Sequence, residues 1–407
     1  MNTKTTVIQT KLKRNVKIDY ISVFITNLNM QGSIWVLYLA YCGLNLAEIG
    51  LLEGIYHITA IIWEIPSGAV ADLLGRKRSM ILSRICIAIS CMLMLFSGSF
   101  GLFALSFIIQ ALGNGFNSGS EEALVYDSMK ALGQEEQYMR VYGQLNVIIE
   151  VSQGIATVAG GILAEYSWFW CYGACLLIAA LSLVPVMFLA EAPCGEQGKR
   201  QATAGELVAS HFRTSFRILR SDVCIVKIIL YYSVVFAAQT LLFFYSQQYY
   251  YELGYNKIQI SLILLVAGVI SCLGAVVSEK LYHRFRRKIV WIGTTVIAAA
   301  FLCYGFENVV VSVIAFSAAG FFNSVLYPVQ SDSLNQLIPS EQRATLISVN
   351  SLFFSVAMII MFPVAGALAD HLGLTTVFGY IGAAVMVFAG CCLVISGGIN
   401  QKSQPKA

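Results

Sequence analysis

Apolar residues come in long runs along this chain, separated by short polar punctuation. Twelve runs of about 20 residues or more can be marked, beginning near residues 19, 47, 79, 101, 140, 168, 223, 258, 289, 308, 343 and 374. As helix, each is long enough to cross a hydrocarbon core of about 30 Å. The pattern therefore predicts an all-α membrane protein with twelve transmembrane helices. Its sharpest interruption is Gly68 to Met80, GAVADLLGRKRSM. The run before it closes with Glu64, Ile65, Pro66, Ser67 and Gly68, and the next starts at Ile81, which leaves Arg76, Lys77 and Arg78 in water and returns both helices to one face.

Composition agrees: 57% of the 407 residues are hydrophobic and 12% charged, against about 25% charged in a soluble domain. The charges also orient the chain. With a cytoplasmic amino terminus, alternate loops hold Lys4, Lys11, Lys13, Arg14 and Lys17, then Arg76 to Arg78, Lys130, Lys199, Arg200, Arg213, Arg217, Arg220, and Arg284 to Lys288, while the opposite loops hold Lys257. This asymmetry places both termini in the cytoplasm. The formal net charge of +4 is thus an orientation signal and calls for no nucleic-acid partner. The first apolar run is too long, and too lacking in a small-residue cleavage site, for a signal peptide. The 11 cysteines are scattered through the helices, so no disulfide, metal site or cofactor is expected.

The chain repeats itself. Asp127-Ser128-Met129 returns as Asp332-Ser333-Leu334, Glu136-Gln137 as Glu341-Gln342, and Gly161 to Glu165 as Gly366 to Asp370, all at a spacing of 205 residues. A weaker echo relates Gly43, Asn45 and Ile49 to Gly254, Asn256 and Ile260. Between the copies, Pro193, the nearby Gly195 and Gly198, and a basic amphipathic piece around Arg213 and Arg217 read as a linker on the anionic inner leaflet. The predicted division is 1–191, a six-helix bundle; 192–221, a cytoplasmic linker; and 222–407, a second six-helix bundle with a short tail.

Gly68, Asp72, Gly75, Arg76, Lys77 and Arg78 fill the pattern Gly-x-x-x-Asp-(x)2-Gly-Arg-Lys/Arg-x-Arg/Lys. This stretch resembles the loop between the second and third helices of the major facilitator superfamily, in particular bacterial drug:proton antiporter-like members. The resemblance implies two pseudo-symmetric bundles, a substrate site near the membrane midplane between them, and alternating access by rocking. It implies that helices one, four, seven and ten line a central cavity, that Asp127 pairs with Arg76, and that Asp72 caps a neighbouring helix of the other half. Those residues would gate without touching substrate. Two features of the antiporters are missing: helix four reads Ile109 to Gly113 with no Arg, and helix five keeps Gly160-Gly161 without the Gly-Pro before it.

Ionisable groups inside a bilayer cost roughly 2.5 to 3.5 kcal/mol each, which makes them functional candidates. Glu53, His57 and Glu64 in helix two, Glu121 and Glu122 in helix four, and Glu150 in helix five all fall in the first half, and they are the candidates for proton or cation coupling. The helix-two stripe serves equally as a proton relay or as hydrogen-bonding groups between the halves. Asn114, Asn117 and Glu121 share a face of helix four, and only one of Glu121 and Glu122 can point into the cavity, because neighbours diverge by about 100°. Glu121 is favoured, with Glu122 packed between helices. No Arg or Lys is expected at the depth of these acids, Arg84 and Lys227 being placed near helix ends. Asn27, Gln31 and Trp35 form a stripe in helix one; Gln239, Tyr245 and Gln248 in helix seven and Asn323 and Tyr327 in helix ten complete a substrate surface of amides and aromatics.

The expected function is secondary transport of a small amphipathic compound, a cation among the candidates, by proton-coupled efflux across the plasma membrane. The protein is expected to work as a monomer in contact with membrane lipids. Uptake of a nutrient or metabolite is the alternative. A non-transporting sensor or an enzyme ranks far behind, for the chain shows no nucleotide loop, paired-His motif or nucleophile elbow, and no catalytic residue is assigned.

Overall fold

The computed structural model describes residues 3–191, 220, 223–286, 288–337 and 343–400; the expected linker at 192–221 lies outside them except for Arg220. Among the described residues there are fifteen α-helices, two short 3-10 turns and no strand. In chain order these are α1 (Thr3–Asn27), α2 (Trp35–Tyr41), α3 (Leu46–Leu74), α4 (Arg76–Phe96), α5 (Phe100–Asn117), α6 (Ser120–Ala131), α7 (Tyr138–Tyr166), α8 (Trp168–Leu181), α9 (Leu183–Phe188), α10 (Val223–Glu252), α11 (Lys257–Phe285), α12 (Lys288–Cys303), α13 (Val309–Asn335), α14 (Arg343–Leu372) and α15 (Leu374–Asn400).

Eleven spans among the described residues are long and apolar enough to cross a membrane, α5 with α6 and α8 with α9 each counting as one. α1 with α2, interrupted from Leu28 to Ile34, is not among the eleven and stands where the first of the twelve expected helices falls. The molecule is a multi-pass α-helical membrane protein. Two expected helices are thus broken, the first at Leu28 to Ile34 and the fourth at Ser118–Gly119. The second break has a local cause: Gly119 adopts φ 70°, a left-handed backbone that glycine accepts without strain.

The chain forms two compact units, one comprising Met1–Tyr38 and Ile55–Ser210, the other Leu39–Gly54 and His211–Ala407. The first turns of α3 therefore belong with the second unit. Within the first unit α4 packs along α5 and α8, and α1 lies against α7 and α6. The backbone of Met30, in the helix-one break, sits so close over Gly160 of α7 that no side chain fits between them. Within the second unit α11 packs along α13, and α12 against α13 and α15.

The weak echo between Gly43–Ile49 and Gly254–Ile260 has a structural meaning. Gly43 and Gly254 turn the chain at φ 92° and 88°, and each is followed by a reciprocal helix cap. Asn45 Oδ1 accepts from the Glu48 N–H at 2.8 Å, while the Asn45 N–H donates to Glu48 Oε2 at 3.0 Å. Asn256 and Gln259 repeat the arrangement at 2.9 and 3.0 Å. Such boxes satisfy two orphan donors at once and contribute about 1 kcal/mol.

Candidate functional site

The first unit contains a cluster of charged and polar side chains built on the broken fourth helix. Glu121 occupies the first turn of α6, where unpaired N–H groups and the helix dipole favour a carboxylate. Arg84 of α4, only 2% exposed, reaches it with Nη2 at 3.1 Å from Oε1. Asn117 Nδ2, on the far side of the break, donates to Oε2 at 3.0 Å, and the Ser22 hydroxyl of α1 makes a weaker third contact to Oε1 at 3.4 Å. Glu122, one residue on, is exposed. It does not pack between helices as expected, because the 100° step turns it to the outside of α6.

Arg84 corrects the expectation that no base lies at the depth of the acids. The apolar pattern starts the third helix at Ile81, after a loop. In the structure Gly75, at φ 92°, is the whole turn and α4 begins at Arg76, which puts Arg84 about 12 Å along the helix.

A residue outside the sequence-based candidates completes the cluster. Asp19 of α1 is 1% exposed, lies within electrostatic reach of both Glu121 and Arg84, and has no hydrogen-bond partner on either carboxyl oxygen. Arg84 Nε, Asn117 Oδ1, Ser83 Oγ and Ser120 Oγ are likewise buried without partners. The signal for Asp19 is a polar stripe on α1 at helical spacing, Asn15, Asp19, Ser22 and Thr26. Its first member is tied into the fold by bonds to Ser128 Oγ at 2.8 Å and the Ala190 carbonyl at 2.6 Å. Because α1 starts at Thr3 and not near residue 19, Asp19 sits well inside a helix.

The remaining acids do not join this cluster. His57 is buried with its ring edge-on to Tyr56, Glu53 is half-buried, and Glu64 and Glu150 are exposed. The three helix-two residues share a helix but not an environment, and Glu53 belongs with the second unit. Asn27, Gln31 and Trp35 do not form a continuous stripe, because the chain leaves the helix after Asn27 and re-enters it at Trp35. Asn27 accepts from Gln153 at 3.3 Å, Gln31 is buried with Oε1 unpartnered, and Trp35 packs edge-on against Phe107 at 5.5 Å. Asn114 is exposed and donates to the Tyr56 hydroxyl at 2.8 Å.

The basic motif is helical where a loop was expected: Gly68 lies inside α3, which runs through Pro66 to Leu74. The side chain of Asp72 lies outside the described residues. Arg76 Nε stands 3.4 Å from Asp127 Oδ2, with both side chains partly exposed. Lys77 donates its backbone N–H to Glu191 at 3.0 Å and its Nζ to the Met187 carbonyl at 2.6 Å, and Arg78 is exposed. Glu191, missed in the sequence, thus sits as an anion on the amino-terminal end of α4; it presses against Gly75 where a Cβ would clash.

In the second unit Tyr245 is not a cavity residue. It is fully buried, with its hydroxyl near the carbonyls of Leu46 at 3.2 Å and Phe362 at 3.1 Å. Asp370 finishes this corner: its two oxygens accept the N–H groups of Leu46 and Ala47, both at 2.9 Å. With the Asn45 box, every free N–H in the first turn of α3 has a partner. Gln239 is buried with Oε1 unpartnered, Gln247 is fully buried with both amide atoms unpartnered, and Gln248 donates to Glu252 at 2.9 Å while its own Oε1 is open. Asn323 also leaves Oδ1 open, and Tyr327, 64% exposed, packs against Phe236 at 6.0 Å. At the repeat spacing, Leu326 and Tyr327 stand where Glu121 and Glu122 stand in the first unit. Among the described residues the charged cluster has no copy there, Cys224, Ile289 and Leu326 standing at the repeat positions of Asp19, Arg84 and Glu121.

The sequence profile described as Major Facilitator Superfamily matches residues 20–285 and 249–403. YxaM, an uncharacterised MFS-type transporter of Bacillus subtilis (strain 168), is 21% identical over 363 residues, covering 87% of this chain and 88% of its own. An MFS-type transporter of Methanocaldococcus jannaschii is 26% identical over 157 residues, 38% of this chain and 40% of that one. Among solved structures, the nucleoside transporter NupG superposes with a TM-score of 0.74 at 15% identity, covering 97% and 99% of the two chains. The D-xylose-proton symporter gives 0.68 at 16%, covering 94% and 97%.

Proposed function

The chain belongs to the Major Facilitator Superfamily and is a membrane transporter of a small molecule, and from that premise we propose that it is driven by protons and exports an amphipathic compound by alternating access. The observation that carries the proton coupling is the buried cluster of Asp19, Arg84 and Glu121. Two carboxyls against one guanidinium leave one negative charge uncompensated when all are ionised. A bare charge in a low-dielectric interior is costly, so the cluster favours taking up one compensating cation. The amides of Gln31, Gln239, Gln248 and Asn323, with Asn114 and Tyr327, are proposed to bind the solute, because buried polar atoms without partners are costly unless something else pairs them. Arg76 and Asp127, with Asp72, are proposed to gate. The protein is proposed to work as a plasma-membrane monomer with both termini in the cytoplasm, divided at 1–191, 192–221 and 222–407.

One observation favours a second reading, proton-coupled uptake of an uncharged solute. Arg84 already neutralises Glu121, which removes the free acid that recommended a cationic substrate, while open amides suit hydroxyl- and amide-rich compounds.

Accumulation assays in cells expressing the protein or an empty vector separate the two readings, with a fluorescent lipophilic cation in one arm and labelled sugars and nucleosides in the other, each with and without a protonophore. Lower dye accumulation that the protonophore abolishes supports export. Higher accumulation of a neutral solute, abolished in the same way, supports uptake. No protonophore-sensitive difference in either arm overturns proton coupling.

A further inference from the structure

The transport reading leaves open which group of the cluster carries the proton; the sequence favoured Glu121. Resting on that reading, we propose that Asp19 is the proton-binding residue, that Glu121 stays ionised against Arg84 as a positioning residue, and that the cluster therefore holds one proton per cycle.

The two carboxyls differ in the donors that reach them. Glu121 has three, the guanidinium of Arg84 and the amide of Asn117 at 3.1 and 3.0 Å and the hydroxyl of Ser22 at 3.4 Å. It also sits in the first turn of a helix, which adds the partial positive charge of that terminus. Each of these holds the charged form, and protonating Glu121 would leave a buried guanidinium facing a neutral acid. Asp19 has no donor on either oxygen and is 1% exposed. An ionised carboxyl in that position has the charge of Arg84 within electrostatic reach but accepts no hydrogen bond, whereas the neutral acid requires one acceptor. Buried acceptors without partners stand in the same cluster: Asn117 Oδ1, turned away from Glu121 by the bond its amide nitrogen makes, and the Ser120 hydroxyl.

The other groups around Asp19 do not change the count. From α4 and α6 the charges facing it are Arg84 and Glu121. From α7 come Tyr138, within electrostatic reach of Asp19, and Arg140, which acts on the neighbouring Tyr20. The short α9 has no titratable residue, and those of α8 are turned elsewhere: Tyr172 lies tilted against Tyr38 at 4.0 Å, Cys171 pairs with Cys175, and Cys175 packs with Cys91. The charge of the cluster is then −1 with Asp19 ionised and zero with one proton bound; a second proton would have to displace Glu121 from Arg84.

Infrared difference spectroscopy of the full-length protein in lipid nanodiscs reads this without any solute, through the C=O stretch of a protonated carboxyl as pH is stepped. Wild type is expected to show one buried carboxyl band that disappears on alkalinisation. Asp19→Asn should lose it at every pH, and Asp19→Glu should restore a band. Glu121→Gln should keep the band but move its disappearance to lower pH by about one unit or more, because Arg84 is freed to stabilise the Asp19 carboxylate. Gel filtration and helix content confirm that each variant is folded. A band unchanged in Asp19→Asn, or abolished at every pH in Glu121→Gln while present in Asp19→Asn, overturns the assignment. If the band belongs to Asp19 but accumulation ignores the protonophore, the proton site stands and the coupling reading falls.

Discussion

Arg84 and Glu121 hold each other at 3.1 Å in a place where neither is well hydrated, and removing one partner of such a pair leaves the other as an unpaired buried charge. Breaking a buried pair in this way costs about 3 to 5 kcal/mol. Arg84→Gln should therefore lower the midpoint of thermal unfolding in detergent, and the double variant Arg84→Gln/Glu121→Gln should recover much of the loss, since it removes both charges together. A double variant as unstable as the single one would contradict the pairing. Tyr245 gives a contrasting case. The sequence predicts a substrate-surface residue, yet its hydroxyl is spent on the Leu46 and Phe362 carbonyls. Tyr245→Phe should cost about 0.5 to 1.5 kcal/mol of stability and leave the apparent affinity for transported solute unchanged, which a concentration series of uptake or efflux would check. Asp19 escaped the sequence reading because hydropathy placed it at the edge of the first apolar run. Its position became meaningful only with Asn15, Ser22 and Thr26 on the same face of a helix that starts at Thr3.

At the scale of elements, the break between α5 and α6 creates the helix terminus on which Glu121 sits. Gly119 holds that break at φ 70° with open space where a Cβ would lie. Gly119→Ala should therefore cost only the left-handed backbone penalty, about 1 to 2 kcal/mol, and should weaken the proposed proton coupling more than it weakens folding; transport and unfolding measured side by side would tell. The start of α3 depends on a residue far along the chain, since Asp370 caps Leu46 and Ala47. Asp370→Ala should cost about 0.5 to 2 kcal/mol, and faster hydrogen exchange at residues 46 to 49 would locate the damage. Unchanged protection there would show that the cap is idle. Most helix starts are legible in the sequence from length and hydropathy, and those of α3 and α11 also from the Gly-Asn cap, but not those of α1 and α4, whose first turns are polar and basic. The breaks were not, because a run of apolar residues reads the same whether or not one glycine inside it turns the backbone.

For the molecule as a whole, the family and the all-helical fold could be read from apolar run lengths, the 205-residue repeat and the Gly68 to Arg78 motif, because a bilayer permits few solutions to that pattern. Pairings between distant helices could not be read in the same way: the Asp19, Arg84 and Glu121 side chains come from three helices, and their meeting depends on rotations that spacing within one helix does not fix. The repeat is also asymmetric in chemistry, with Leu326 buried at the place equivalent to Glu121. The proposed proton coupling therefore falls to the first unit. The measurement that tests this most directly uses proteoliposomes carrying a trapped pH-sensitive dye, challenged with the solute identified by the accumulation assays. Wild type should move protons when solute is added, Asp19→Asn should move none, and Asp19→Glu should recover part of the signal. Proton movement in Asp19→Asn equal to that of wild type would contradict the account.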